Sequence, residues 1–164
     1  MEKLEFRKLR ADEIEVRVGS FKEGKGASLL LYKNARVDMA ILDETVGQLG
    51  WKRDHKELKN VIYCGISIKD STGEWIIKWD AGSESNTEKQ KGESSDSFKR
   101  AGFCWSIGRE LYTGPFIWVQ ANKLQGKYDK FYVEKITYDG DNIDGLAIKN
   151  AKTHERVFLK APKK

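Results

Sequence analysis

The segment "NVIYCGISIKDSTGEWIIKWD", residues 60 to 80, constrains this chain more than any other. Ile62, Cys64, Ile66 and Ile68 fall at every second position, the period of a strand with one buried face. "DSTG" at 70 to 73 is turn chemistry, because Asp and Ser side chains bond nearby backbone amides and Gly accepts positive φ. Beyond it, Trp75, Ile77 and Trp79 alternate on one face. This is a hairpin. The mostly polar "WKRDHKEL" upstream reads as a third, more exposed strand, so the expected unit is an antiparallel three-strand meander.

Such a meander needs cover for its apolar face. In "YKNARVDMAILDETVG", Ala35, Met39, Leu42 and Val46 recur at helical spacing and Gly47 is placed to end the helix. In "SSDSFKRAGFCW", Phe98, Ala101, Gly102 and Trp105 follow the same spacing, with Ser94, Ser95 or Asp96 expected as the cap. The intervening "AGSESNTEKQKGESS", residues 81 to 95, has no apolar period and reads as an exposed loop. "PFIWV", "KFYVEKITY", "DGLAIKN" and "ERVFLKA" read as short strands. The expected class is α+β: an antiparallel β-meander with two packed helices, plus C-terminal strands, in one domain over residues 1–164.

At 164 residues the chain has the size of one ordinary domain. No stretch approaches the roughly 18 apolar residues of a membrane helix, and the mixed charges of "MEKLEFRKLRADEIEV" do not form a secretory signal. An intracellular protein without a membrane partner is expected. Cys64 and Cys104 read as small core residues rather than a disulfide, and His55 and His154 are isolated, so no metal is expected.

The net charge of +5 is misleading as a nucleic-acid signature. Leu146 to Lys164 carries Lys149, Lys152, Arg156, Lys160, Lys163 and Lys164 against Glu155 alone, so residues 1 to 145 balance. Any nucleic-acid surface must come from charge segregated by folding.

Three catalytic readings fail on their residues. "GSFKEGKG", 19 to 26, approaches a P-loop, but Gly26 stands where the magnesium-holding Ser or Thr belongs, and "ASLLLY" after it is strand-like. A metal-dependent nuclease can be built from Asp43 with Asp54 and Lys56, a combination too common to carry weight. Asp38, Asp43 and Glu44 read as the solvated side of a helix rather than paired catalytic carboxylates. No nucleophile and base stand at a known catalytic spacing. The chain is not expected to be an enzyme, with the P-loop NTPase and the nuclease kept as lesser alternatives.

Binding residues are better marked. Lys99 and Arg100, placed near the start of the second helix, would meet phosphate together with the positive end of the helix dipole. Lys33, Arg36, Lys52, Arg53 and Lys56 flank the first helix and first strand. If both helices share one sheet face, these cations line one groove.

From about Leu29 to Trp118, the segments "YKNARVDMAILDETVGQLGW", "YCGISI", "WDAGSES" and "KGESSDSFKRAGFCWSIGRELY" resemble the phage Sak-type single-strand annealing proteins. These are a branch of the Rad fifty-two superfamily, which also includes the DdrA proteins. The specific part is "SSDSFKRAGFCWSIGRELY". Gly102 and Ser106 depart from the alanine and glycine common there.

The resemblance implies a β-β-β-α annealing core over about 29–118, with residues 119–164 as C-terminal strands and a basic end. It implies ATP-independent binding of single-stranded DNA and pairing of complementary strands in recombination and repair, with no cofactor. It further implies homo-oligomeric rings or helical filaments in the cytoplasm of a bacterial host, with a phage exonuclease or single-strand binding protein as partner class. Lys99 and Arg100 match the family's basic pair, and Arg36 falls close to its basic position on the first helix. Lys33, Lys52, Arg53 and Lys56 rest on charge and placement. The alternative within the superfamily is a DdrA-like protein that protects single-stranded ends without efficient annealing.

Overall fold

The computed structural model describes residues 3–82 and 89–164. In chain order the elements are β1 (Ile14–Lys22), β2 (Gly26–Lys33), α1 (Ala35–Val46), β3 (Trp51–Leu58), β4 (Val61–Lys69), β5 (Trp75–Ala81), α2 (Lys89–Cys104), β6 (Ile117–Gln120), β7 (Phe131–Asp139), β8 (Asn142–Asn150) and β9 (Arg156–Lys160). The chain is α+β, with antiparallel strand pairing throughout the described ladders. It divides into two compact units: Met1–Lys8 with Asn34–Gly108, and Leu9–Lys33 with Arg109–Lys164.

The first unit holds the sheet β3-β4-β5 and both helices. β3 and β4 are joined by Lys59 and Asn60 at φ 53° and 63°, the paired positive values of a two-residue turn that follows the strand twist. At the β4–β5 turn, Asp70 Oδ1 accepts from Thr72 N at 2.8 Å, Thr72 Oγ1 at 2.6 Å and Glu74 N at 3.0 Å. These bonds, led by the Thr72 hydroxyl, hold the Asp70 carboxyl below its usual range.

Even-numbered residues of β4 face α2. Cys64 and Ile66 are fully buried, as are Phe98 and Ala101 on the helix. Just past the helix end, Trp105 Nε1 donates to the Ile66 carbonyl at 2.8 Å. α1 packs on α2 and β3. Asn34 caps it by accepting from Arg36 N at 2.9 Å, and Gly47, at φ 78°, ends it. Trp51 Nε1 on β3 donates to Asp43 Oδ1 at 2.7 Å.

Three expectations change here. The buried stripe of α1 is Asp38, Ile41 and Leu42, whereas Ala35, Met39 and Val46 are only half-buried. Asp38 is therefore not part of a solvated face; Asp43 is engaged by Trp51, and Glu44 by Arg7 at 2.8 Å. The third change is at α2, which begins at Lys89, so Ser94, Ser95 and Asp96 lie inside the helix and do not cap it. Ser97 Oγ instead donates back to the Ser94 carbonyl at 2.8 Å. Lys, Gln and Glu are good helix formers with no apolar period to betray them, and so the first turns resemble a loop in sequence. The remainder of the expected loop, residues 83–88, lies outside the described residues.

The second unit is a six-stranded sheet in the order β6-β2-β1-β7-β8-β9. "GSFKEGKG" forms the β1–β2 hairpin, and a strand rather than a helix follows Gly26, so the P-loop alternative lacks the helix N-terminus its phosphate would need. Glu110 is buried and accepts from Leu9 N at 2.8 Å, while Tyr138 Oη donates to the Leu9 carbonyl at 2.7 Å. Burial, then the charges of Glu110 and Glu13, push the Tyr138 phenol upward.

Candidate nucleic-acid interface

The sequence-predicted cations fall in three places. Lys33 ends β2 in the second unit and is 1% exposed, so its burial takes it out of any surface groove. Arg36 is exposed in the first turn of α1. The remaining five are divided by strand parity and by α2.

Lys99 and Arg100 stand in the third turn of α2, not at its N-terminus, so the helix dipole does not act on them as expected. Packing positions them instead. Phe98 before the pair and Ala101 after it are both fully buried, which fixes the backbone carrying the two cations. The Arg100 side chain remains 46% exposed, with Nε 4.0 Å from Asp80 Oδ2 at the end of β5. A solvent-exposed pair at that distance binds weakly and can yield to a phosphate.

Arg53 belongs to the same side. It pairs with Ile66 across the ladder, so it points toward α2, and its guanidinium lies 5.0 Å from the Phe98 ring centre. Trp51, two residues back, also meets Phe98, with ring centres 6.0 Å apart. His55 follows on this face. Burial first, then the Arg53 charge, lowers its pKa, so the imidazole adds no positive charge at neutral pH.

Lys52 and Lys56 point the other way, because successive strand residues alternate faces. The expected single groove is therefore two surfaces. On this open face Lys52 Nζ lies 4.8 Å from the Trp75 ring centre and Lys56 Nζ 4.0 Å from that of Trp79. Lys69 Nζ adds a second cation 4.9 Å from Trp75. Trp75, Trp79 and Lys69 were not anticipated as surface-forming residues. Their signal was present in the sequence: two indoles at i and i+4 on a strand whose alternate residues already cover the helix side.

The nuclease alternative loses its geometry here, since Asp43 is held on α1 by Trp51. Asp54 and Lys56 share the open face of β3 instead. The helix side presents guanidinium and ammonium groups on a rigid helix and strand. That arrangement suits anion positioning.

A family model described as Rad52/22 family double-strand break repair protein matches residues 1–130, which takes in both helices and the whole of β3-β4-β5. No curated protein and no solved structure matches the chain.

Proposed function

Because the chain belongs to the Rad52/22 family of double-strand break repair proteins, we propose that it binds single-stranded DNA and anneals complementary strands without ATP or any other cofactor. The observation carrying this reading is the Lys99–Arg100 pair, held between buried Phe98 and Ala101 with Arg53 over the same phenyl ring. Cations fixed on a packed helix can bind successive phosphates and leave the bases free to pair. Arg36 on α1 extends the set. Annealing by this route needs no catalytic residue, so the protein is proposed not to be an enzyme.

Within the family, "SSDSFKRAGFCWSIGRELY" supports a Sak-type, phage-encoded annealing protein with a β-β-β-α core formed by β3, β4, β5 and α2. Family membership supports assembly into homo-oligomers, proposed as rings or helical filaments, working in the bacterial cytoplasm beside a phage exonuclease or single-strand binding protein. Among the described residues, no helix is long and apolar enough to cross a membrane.

The test is ATP-free annealing of two complementary labelled oligonucleotides by wild type and Lys99→Ala/Arg100→Ala at low and moderate salt. Wild type is expected to accelerate pairing, and the double variant to lose most of that acceleration while keeping its oligomeric mass. Binding of single strands without faster pairing would favour end protection. Absence of single-strand binding at low salt would overturn the reading.

A further inference from the structure

Asp80 is the one acidic residue of β5, and its ladder partner is Cys64, so it lies on the helix side of the sheet. Two contacts that involve no cation hold its carboxylate. Oδ1 accepts from Ala81 N at 2.7 Å, and Oδ2 lies 3.8 Å from Cys104 Sγ, within reach of that thiol's weak donor. Arg100 stands one turn before Cys104 on α2, and its Nε lies 4.0 Å from the same Oδ2. The Asp80 and Arg100 side chains are 38% and 46% exposed, so a ligand in solution can reach both.

The two halves of this ion pair are unequally free. The carboxylate is tied to its own strand and to α2 whether or not Arg100 touches it. The guanidinium ends a long, half-exposed side chain, and an exposed pair at this separation contributes little. A phosphate can therefore draw Arg100 away. The carboxylate then stays behind as a fixed anion beside the site, able to take the guanidinium back. Carboxylate and phosphate suit the same planar fork, so the two compete for one group. Strand pairing needs contacts that let go, because complementary strands reach register through repeated shifts and each shift breaks phosphate contacts.

We infer that Asp80 is a positioning residue of the phosphate groove: it holds Arg100 when no DNA is bound and, as a built-in competitor, shortens the life of the Arg100–phosphate contact. The inference rests on the single-strand binding reading for its ligand and adds to it what sets the rate of release.

Dissociation of a labelled thymidine oligonucleotide by stopped flow and its equilibrium binding by anisotropy are measured on the full chain. The variants are Asp80→Asn, Asp80→Glu, Arg100→Ala and Asp80→Asn/Arg100→Ala. Asn keeps an oxygen for Ala81 N and removes the charge, so Asp80→Asn should tighten binding about threefold, chiefly through slower dissociation. Asp80→Glu keeps the charge and should not tighten it. In the Arg100→Ala background, adding Asp80→Asn should leave affinity nearly where it was, because the group it competes for is gone. Equal tightening with and without Arg100 would make Asp80 a general repulsive charge. Unchanged or weaker binding by Asp80→Asn would make it a structural support. Either result overturns the inference while the annealing reading stands. Asp80→Ser, which also offers Ala81 N an oxygen, supplies the same comparison if the amide alters oligomeric mass or far-ultraviolet dichroism. If wild type binds no single strand, the annealing reading fails and the inference fails with it.

Discussion

Gly65 leaves the room that the Ile77 and Trp79 side chains occupy on the open face. Replacing it with Ala drives a methyl against Ile77 and Trp79, and overpacking of this kind costs roughly 1–3 kcal/mol. Urea unfolding should show that loss, with Trp79 displaced. Cys64 on the same strand is inert for a related reason. Burial pushes its thiol up from 9.0 to about 11, so the folded protein keeps it protonated at neutral pH. Its contribution to stability is complete below the unfolded value and is lost as pH rises through the folded one. A maleimide at pH 7.5 should therefore label Cys64 only as fast as the protein unfolds. At this scale the sequence revealed residue types well and directions poorly. Lys52 and Arg53 look equivalent as adjacent cations, and only the register of β3 on β4 sends one toward Trp75 and the other toward Phe98. The burial of Lys33 had no local signal at all, because tertiary packing decides it.

Among the elements, α2 carries most of the proposed chemistry and depends on one anchor. Phe98 is fully buried between β4, Trp51 and the Arg53 guanidinium. Phe98→Ala should destabilise the protein by roughly 3–5 kcal/mol in denaturant titration, the usual cost of emptying an aromatic site. It should also weaken single-strand binding under conditions where the fold survives, since both Lys99 and Arg53 lose their support. The meander and α1 were legible because alternation and capping residues are local signals. The start of α2 was not, since its polar first turns offer no apolar period. Nor was β1 singled out, although Ile14, Val16 and Val18 alternate in it; the long exposed end of that strand hides the pattern.

For the whole molecule, net charge and proposed function separate. The unit containing Lys99 and Arg100 has equal numbers of acidic and basic side chains, and the +5 excess belongs to the other. Part of that excess is internally matched: Arg156 and Lys149 both pair with Glu134, at 2.9 and 3.5 Å. Binding should accordingly follow placed cations rather than overall charge. With about 0.7 counterions released per single-strand phosphate contact, Lys99→Ala/Arg100→Ala should make the slope of log affinity against log salt shallower by about 1.4. A slope that did not change would mean the pair makes no phosphate contact.

The chain has five tryptophans, and Trp51, Trp75, Trp79 and Trp105 all lie in one unit, leaving Trp118 alone in the other. Ultraviolet emission from this protein is consequently a local reporter, whereas far-ultraviolet dichroism samples the backbone of both units. A melt followed by both signals should coincide if the units lose structure together, and a lag of dichroism behind emission would show the helix-bearing unit giving way first. The same indoles supply a label-free optical channel in which an oligonucleotide reaching Trp75 or Trp79 would quench part of the light.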